Sequence, residues 1–335
     1  MKIYHHTDND GYCAAAIAKN YLVNAFDIPT EYDFIPYTHG MELPIKEVNE
    51  GESVYILDLA LDEKIFKLIK HCVESKAKVV HIDHHASTNE FINKMNDSDK
   101  KIIEQIRTFY ITELSATMLT FAYDCFNDSE KANVYGTDFY LTEDMSVLQV
   151  GNGDDARPYH VPLIIRYVND YDLFSFELPE TEAFEAGFRT YKHRGEPWHK
   201  DWSKLFQVER ALIPTIIEDG RIVLENDKKR YESIMKHAFV VDHVGDKEIT
   251  CLCVNTDTGT SKVFGDKIND FPMACMYYYD GSINKWKYAF RSHDNGENVS
   301  AIAVSFGGGG HVHAAGCELP TNIFTDDVIL KGYEI

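Results

Sequence analysis

Three short segments of the sequence gather histidine and aspartate at the ends of apolar runs. His6, Asp8 and Asp10 follow residues 2–5, Asp58 follows 53–57, and Asp83, His84 and His85 follow 78–82. A lone Asp after a strand is usually a turn residue or a helix cap. Seven such residues on three consecutive strand ends point to more, because the carboxyl ends of neighbouring parallel strands line one crevice. Imidazole mixed with several carboxylates suits Mn²⁺, Fe²⁺, Co²⁺ or Zn²⁺ better than Ca²⁺. Such a set accommodates two ions about 3.5–4 Å apart, bridged by one shared Asp; the pair generates hydroxide near neutral pH and clamps the oxygens of a phosphoryl displacement. A second cluster, GGGGHVHAAG at 307–316, exposes backbone N–H groups beside His311 and lets a phosphate or sugar come close. Arg291, at the end of a strand in the same region, offers a fork for phosphate oxygens.

These residues need a scaffold of alternating strands and helices. Strands are expected at 2–5, 53–57 and 78–82, with helices at 12–22 and 62–75 between them, which indicates βαβ units and a parallel sheet. Residues 86–110 read as a loop and helix, and 112–126 as a helix opened by Thr112 or Glu113. The stretch 127–160 reads as polar and irregular apart from LTEDMSVLQVG, a helical segment runs from Val161 into VNDYDLFSF, and 183–239 is mostly helical. From 249 the chain turns β-rich (249–254, 273–279, 286–291), followed by a helix at 299–305. The fold class is therefore α/β: residues 1–222 as a parallel-sheet domain with flanking helices, 223–240 as a linker helix, and 241–335 as a smaller α/β domain.

The 335 residues are 44% hydrophobic and 26% charged, which excludes wholesale disorder. Apolar runs fall short of the roughly 20 residues a membrane span needs, and MKIYHHTDNDG lacks the apolar core of a signal peptide. Seven scattered cysteines suggest buried thiols in a reducing cytoplasm. A net charge of −21 repels long nucleic-acid duplexes but admits short anionic substrates held by a metal. The loop around Trp198 and His199 (YKHRGEPWHK) reads as solvated with a packed Trp, the alternative being a base-stacking surface.

In chain order, HTDNDG, the Asp of YILDLAL, IDHH, NDYDLF and GGGGHVHAAG resemble the motifs of the DHH-superfamily phosphoesterases. The glycine-rich motif resembles their DHH-associated C-terminal domain, as found in oligoribonucleases, pAp phosphatases, cyclic dinucleotide phosphodiesterases and RecJ-like exonucleases. The forms H-x-D-x-D-G, YD-x-[WF] and RS…FGGGGH…AAGC are most similar to NrnB-type oligoribonucleases.

The resemblance implies two Mn²⁺ ions, other divalent ions being admissible. His6, Asp8 and Asp58 would hold one, and Asp10, Asp58, His84 and Asp172 the other, with Asp58 bridging. His6 is preferred to His5 and Asp172 to Asp170 on the family spacing, leaving His5 to strand packing and Asp170 to the surface or a supporting role. His85 would face the phosphate and Asp83 would orient the histidines, so Asp58, Asp83 and His85 form the catalytic set. Arg291, Gly309, Gly310 and His311 would bind the terminal nucleotide, and the second domain would have a mixed sheet. The implied function is a phosphodiesterase releasing mononucleotides from short RNA, with pAp as a further substrate; the alternative is a cyclic mono- or dinucleotide phosphodiesterase. The expected partners are short oligonucleotides or small nucleotides, with neither long duplexes nor membranes, in a cytoplasmic protein that a homodimer would also suit.

Overall fold

A computed structural model describes residues 1–20, 31–38, 41–127, 139–150, 157–207, 209–258, 260–324 and 331–332. The last two residues of the helix expected over 12–22 lie outside them. The chain divides into two units, Met1–Val223 and Leu224–Ile335.

The first unit begins β1 (Lys2–His6), α1 (Asn9–Asn20), β2 (Asp33–Tyr37), β3 (Ser53–Leu57), α2 (Glu63–Glu74) and β4 (Lys78–Asp83). It continues with α3 (Ala86–Lys94), α4 (Asp97–Ile103), β5 (Arg107–Tyr110) and α5 (Ala116–Asn127). The five strands make a parallel sheet in the order β2-β1-β3-β4-β5. Side chains alternate between its faces. Ile3, Tyr55, Leu57, Val80 and Ile82 pack with α1 and α5, whereas Tyr4, Val54, Ile56 and Val79 pack with α2. Both faces are covered, so the strands read as continuous apolar runs.

Two strands of this sheet escape the sequence reading, and both are its edges. Pro36 interrupts the pattern of β2, which only an edge strand tolerates, and β5 has four residues with one buried. Helix α5 starts at Ala116, not at Thr112 or Glu113. Ser115 Oγ accepts from Met118 N–H at 3.4 Å, and Asp10, remote in sequence, caps the first turn.

The described residues of 127–160, expected to be irregular apart from LTEDMSVLQVG, hold a small antiparallel sheet: β7 (Val147–Val150) lies within that exception, between β6 (Phe139–Leu141) and β8 (Arg157–His160); residues 128–138 and 151–156 lie outside the described residues. The strands of this sheet are too short to announce a period. Helices α6 (Leu163–Asp172), α7 (Thr181–Thr190), α8 (Asp201–Gln207) and α9 (Glu209–Met235) follow, so the linker helix expected over 223–240 is the end of a 27-residue one that stops at Met235. No described helix is long and apolar enough to cross a membrane.

The second unit adds β9 (Phe239–Val244), β10 (Lys247–Asn255), β11 (Met273–Asp280), β12 (Lys285–Arg291), α10 (Val299–Ser305), β13 (Gly309–His311), β14 (Ala314–Leu319) and β15 (Lys331–Gly332). They form a mixed seven-stranded sheet, parallel only between β10 and β11. All seven cysteines are buried free thiols; Cys251 and Cys253 share one face of β10 with their sulfurs 3.6 Å apart.

Helices α7 and α9 meet backbone to backbone. A Cβ on Gly187 would stand 1.8 Å from Ile216 O, and one on Gly220 1.7 Å from Ala183 O. This contact seats the helix that carries Glu185, a buried partner of Asn9. Gly220→Ala is expected to cost about 1–3 kcal/mol through overpacking, read as a lower urea midpoint; an unchanged midpoint would refute the close crossing.

Candidate metal centre

The strand order reverses between β1 and β3, because β2 lies on the far side of β1. The helices after those two strands therefore leave on opposite faces and open a crevice between the strand ends. His5 pairs with Leu57 and Leu57 with Ile82, so His6, Asp58 and Asp83 come next at one edge of the sheet. Asp58 N–H still donates to Ile82 O at 2.9 Å, but its φ of 57° leaves the strand region. A left-handed conformation is unusual for a residue other than glycine, and such residues cluster at functional sites. After β1 the chain folds straight into α1. Gly11 permits this, since a Cβ there would lie 2.4 Å from His6 O.

The structure brings all six expected ligands together. Donor atoms of His6, Asp8 and Asp58 lie within 4.8 Å of one another, as do those of Asp10, His84 and Asp172, and those of Asp58, His84 and His85. His6 Nδ1 is 2.6 Å from Asp8 Oδ2 and 3.7 Å from Asp58 Oδ2. His84 Nε2 is 3.4 Å from Asp58 Oδ1, 3.3 Å from Asp172 Oδ2 and 3.8 Å from Asp10 Oδ2. Asp58 thus has one oxygen toward each histidine. Asp10 is fixed from behind, its two oxygens accepting from Ala116 N–H (2.7 Å) and Thr117 N–H (2.8 Å), at the positive end of α5.

Electrostatically the cluster is frustrated. Burial, then the charges of Asp10, Asp8 and Asp172, push the Asp58 carboxyl well above the usual range. Burial with Asp10 and Asp8 raises Asp172 to about 9. Burial also acts upward on Asp8, but the His6 hydrogen bond and charge outweigh it and hold Asp8 at about 2. Asp58 Oδ2 and Asp172 Oδ2 are buried without a hydrogen bond. Buried, unsatisfied carboxylate oxygens beside imidazoles are what a divalent cation requires, so the residues fit a metal pair.

His85 stands half-exposed beside His84, ring centroids 4.5 Å apart. Its Nδ1–H donates to Asp83 at 2.7 Å, and that bond raises the imidazole above its ordinary range. Asp83, fully buried, also accepts from Thr88 Oγ at 2.5 Å. It therefore orients His85; no hydrogen bond joins it to His84 among those described. His5 is buried against Tyr12 and Phe34, a packing role. Asp170 is not at the surface: it is wholly buried and accepts from Glu177 N–H, Leu178 N–H and Thr181 Oγ, tying down the chain after α6.

Sequence reading missed Asn9, Glu185 and Arg194. Asn9 Nδ2 donates to Glu185, and Asn9 Oδ1 accepts from Arg194 Nη1 at 2.6 Å. The available signal was a glutamate between Phe184 and Ala186 on an otherwise apolar helix face. Trp198 is half-exposed, its ring 5.7 Å from Phe34.

In the second unit, Arg291 pairs with Ala314 and Ala314 with His311, so these two substrate-binding candidates share one cross-strand row. Gly309 and His311 are exposed. Gly310, likewise exposed, has φ 139° and pairs with Ala315 so closely that a Cβ would stand 2.5 Å from Ala315 Cα. A groove of about 620 Å³ on this unit includes Tyr278, Lys285, Lys287, Gly307 and Gly308. Both of its lysines are already paired with Asp280 or Glu318.

No family model matches the chain. A structure described as the DHH domain of a member of the s1p family of ribosomal proteins aligns over 95% of this chain and 82% of its own length, with TM-score 0.52 and 15% identity. The chain has the DHH-domain fold. Oligoribonuclease NrnB of Bacillus subtilis is 22% identical to this DHH-fold chain over 330 residues, 96% of this chain and 73% of that protein. The uncharacterized protein R106 of Acanthamoeba polyphaga mimivirus is 27% identical over 162 residues, 47% of this chain; the match spans 37% of R106.

Two predictions follow from the crowded carboxylates. Asp58→Asn removes the cost of protonating this buried carboxyl on folding, so in EDTA at neutral pH its melting temperature rises, by roughly 2–4 °C per kcal/mol relieved; a fall would contradict the repulsion. Asp172 also gives a pH dependence. Its raised pKa of about 9, against 3.8, makes the folded metal-free chain bind more protons than the unfolded one between those values, so stability falls as pH rises. Asp8 and Asp83, held at about 2, act oppositely, only below about pH 4. Melting in EDTA is expected to drop from pH 5 to pH 9, and saturating Mn²⁺ to flatten the slope; a flat EDTA profile would overturn the assignment.

Proposed function

We propose that the chain is a two-metal phosphodiesterase that removes mononucleotides from short oligoribonucleotides, with pAp as a second substrate. The observation that carries the reading is Asp58: buried, with one oxygen toward each of two His/Asp groups. His6, Asp8 and Asp58 would hold one ion and Asp10, Asp58, His84 and Asp172 the other, Mn²⁺ suiting this mixture of imidazole and carboxylate. When bound, the ions supply an activated water and neutralise charge on the phosphoryl oxygens.

The chain's own residues do the rest. Asp83 fixes the tautomer of His85 and favours its protonated form, so His85 presents Nε2–H to an anionic phosphoryl oxygen. Thr88 keeps Asp83 in place by donating to its second oxygen. On the second unit, the Arg291–His311 row binds the phosphate of a terminal nucleotide. A net charge of −21 favours short substrates, since a long strand needs a cationic track. Support for RNA comes from the whole-chain likeness to the NrnB oligoribonuclease. Seven buried thiols suit a reducing, cytoplasmic setting.

The test is product analysis with labelled RNAs of two, five and about twenty-four nucleotides, pAp and cyclic di-AMP, in Mn²⁺ or EDTA. Mn²⁺-dependent release of mononucleotides, fastest from the shortest RNA, is expected. Asp58→Ala or His84→Ala should lower kcat/KM at least roughly a thousandfold, about 4 kcal/mol, with unchanged circular dichroism. Full activity in either variant, or cleavage of cyclic di-AMP alone, would refute the reading.

A further inference from the structure

Helix α6 ends immediately after Asp172, and the turn that ends it is built from unexpected residues. Leu173 is the cap; Phe174 N–H donates to Tyr171 O and Ser175 N–H to Asp170 O, both at 3.0 Å. This pair of hydrogen bonds closes a helix whose next residue is left-handed, a place that glycine ordinarily takes because a Cβ is strained there. Phe174 occupies it with φ 53°, and Phe176, two residues on, has φ 50°. The turn is held in this form from within. Asp170, wholly buried, accepts from Glu177 N–H at 2.8 Å, from Leu178 N–H at 3.1 Å and from Thr181 Oγ, so the chain after Phe174 is wrapped around one carboxylate.

The strained backbone carries aromatic surface into solvent. Phe174 is 71% exposed, more than any other large apolar side chain among the described residues, and Phe176 is 44% exposed. With half-buried Tyr171 they form a cluster. Phe176 meets Tyr171 edge to face at 5.9 Å (87°) and Phe174 at 5.8 Å (76°), while Tyr171 and Phe174 lie 5.8 Å apart at 31°. Edge-to-face contacts fix the orientation of rings, yet rings this exposed add little to the core.

The cluster adjoins the metal centre in the chain. Asp172 lies between Tyr171 and Phe174, with its Oδ2 3.3 Å from His84 Nε2. The Cα of Phe174 is within about 8 Å of that of Asp172, two residues away. A nucleoside bonded to a phosphate at the centre is therefore within reach of the rings. Resting on the phosphodiesterase reading above, we propose that Phe174, braced by Tyr171 and Phe176, stacks on the nucleobase of a nucleotide bonded to the scissile phosphate. Every base has a π-face, so such a platform requires a base without choosing which one. It also suits a chain of net charge −21, which gains no long-range attraction toward an anionic strand.

The test compares pApA with dinucleotides that lack either base, in Mn²⁺. Stacking is read independently of turnover by fluorescence quenching of a 2-aminopurine dinucleotide, in Mg²⁺, with a methylene in place of the scissile ester oxygen. The unaltered chain is expected to prefer pApA to one of the abasic forms at least roughly tenfold in kcat/KM, to treat the four bases alike within a few-fold, and to quench the probe. Phe174→Gly, whose backbone takes the left-handed conformation freely, should hold or raise the melting temperature, erase the preference by raising KM for pApA, and abolish the quenching. Phe174→Asn, also at ease in that conformation, should repeat these losses, and Phe174→Trp should restore both. A preference or quenching retained in Phe174→Gly, no quenching by the unaltered chain, an equal loss on intact and abasic substrates, or an altered oligomeric state with both substrates unaffected would overturn the platform. Quenching that depends on Phe174 in a chain that cleaves no dinucleotide would refute the phosphodiesterase reading and leave the stacking site standing.

Discussion

The structure turns on one unfavourable arrangement, the crowding of Asp8, Asp10 and Asp172 around the buried carboxylate of Asp58. Like charges out of water repel strongly and lose hydration, so without a partner they take up protons instead. Such a cluster survives only because the surrounding fold over-determines it. Five strands fix the register of His6, Asp58 and Asp83; the first turn of α5 grips Asp10; α6 delivers Asp172. The site is thus built at the expense of metal-free stability, a conflict that a divalent cation would resolve.

The division of labour between the strand ends follows from topology. The reversal of strand order between β1 and β3 sends α1 to one face and α2 to the other, leaving the crevice between them uncovered. A shift of β3 by one residue would exchange Asp58 for Leu57 and bring the opposite face inward. The alternation of Ile3 and Tyr4, or Val54 and Tyr55, between two apolar cores prevents that slip. Core packing therefore sets where the chemistry stands.

Much of this was legible in the sequence. The three central strands are short runs of apolar and aromatic residues ending in polar clusters, and α1, α2 and α10 carry clear helical spacing. The six ligand candidates were legible because each lies within a short motif at a strand or helix end. Less legible was anything fixed by contacts distant in sequence. The start of α5 depends on Asp10, over a hundred residues away, so Thr112 and Glu113 were the better local caps and still the wrong ones. Asp170 looks like a surface acid until three donors from the following chain are seen to converge on it. Glu185 carries no motif, because its partner Asn9 belongs to another element. Edge strands β2 and β5 are short, and one contains a proline, so pattern alone could not find them.

The central claim is that Asp58 joins two metal positions. It is tested most directly by electron paramagnetic resonance during Mn²⁺ titration of the metal-free protein. The account predicts an exchange-coupled pair of manganese ions, with protons released on uptake at neutral pH, and loss of the coupled signal in Asp58→Ala. A single uncoupled ion taken up without proton release, or a coupled signal that survives Asp58→Ala, would contradict it.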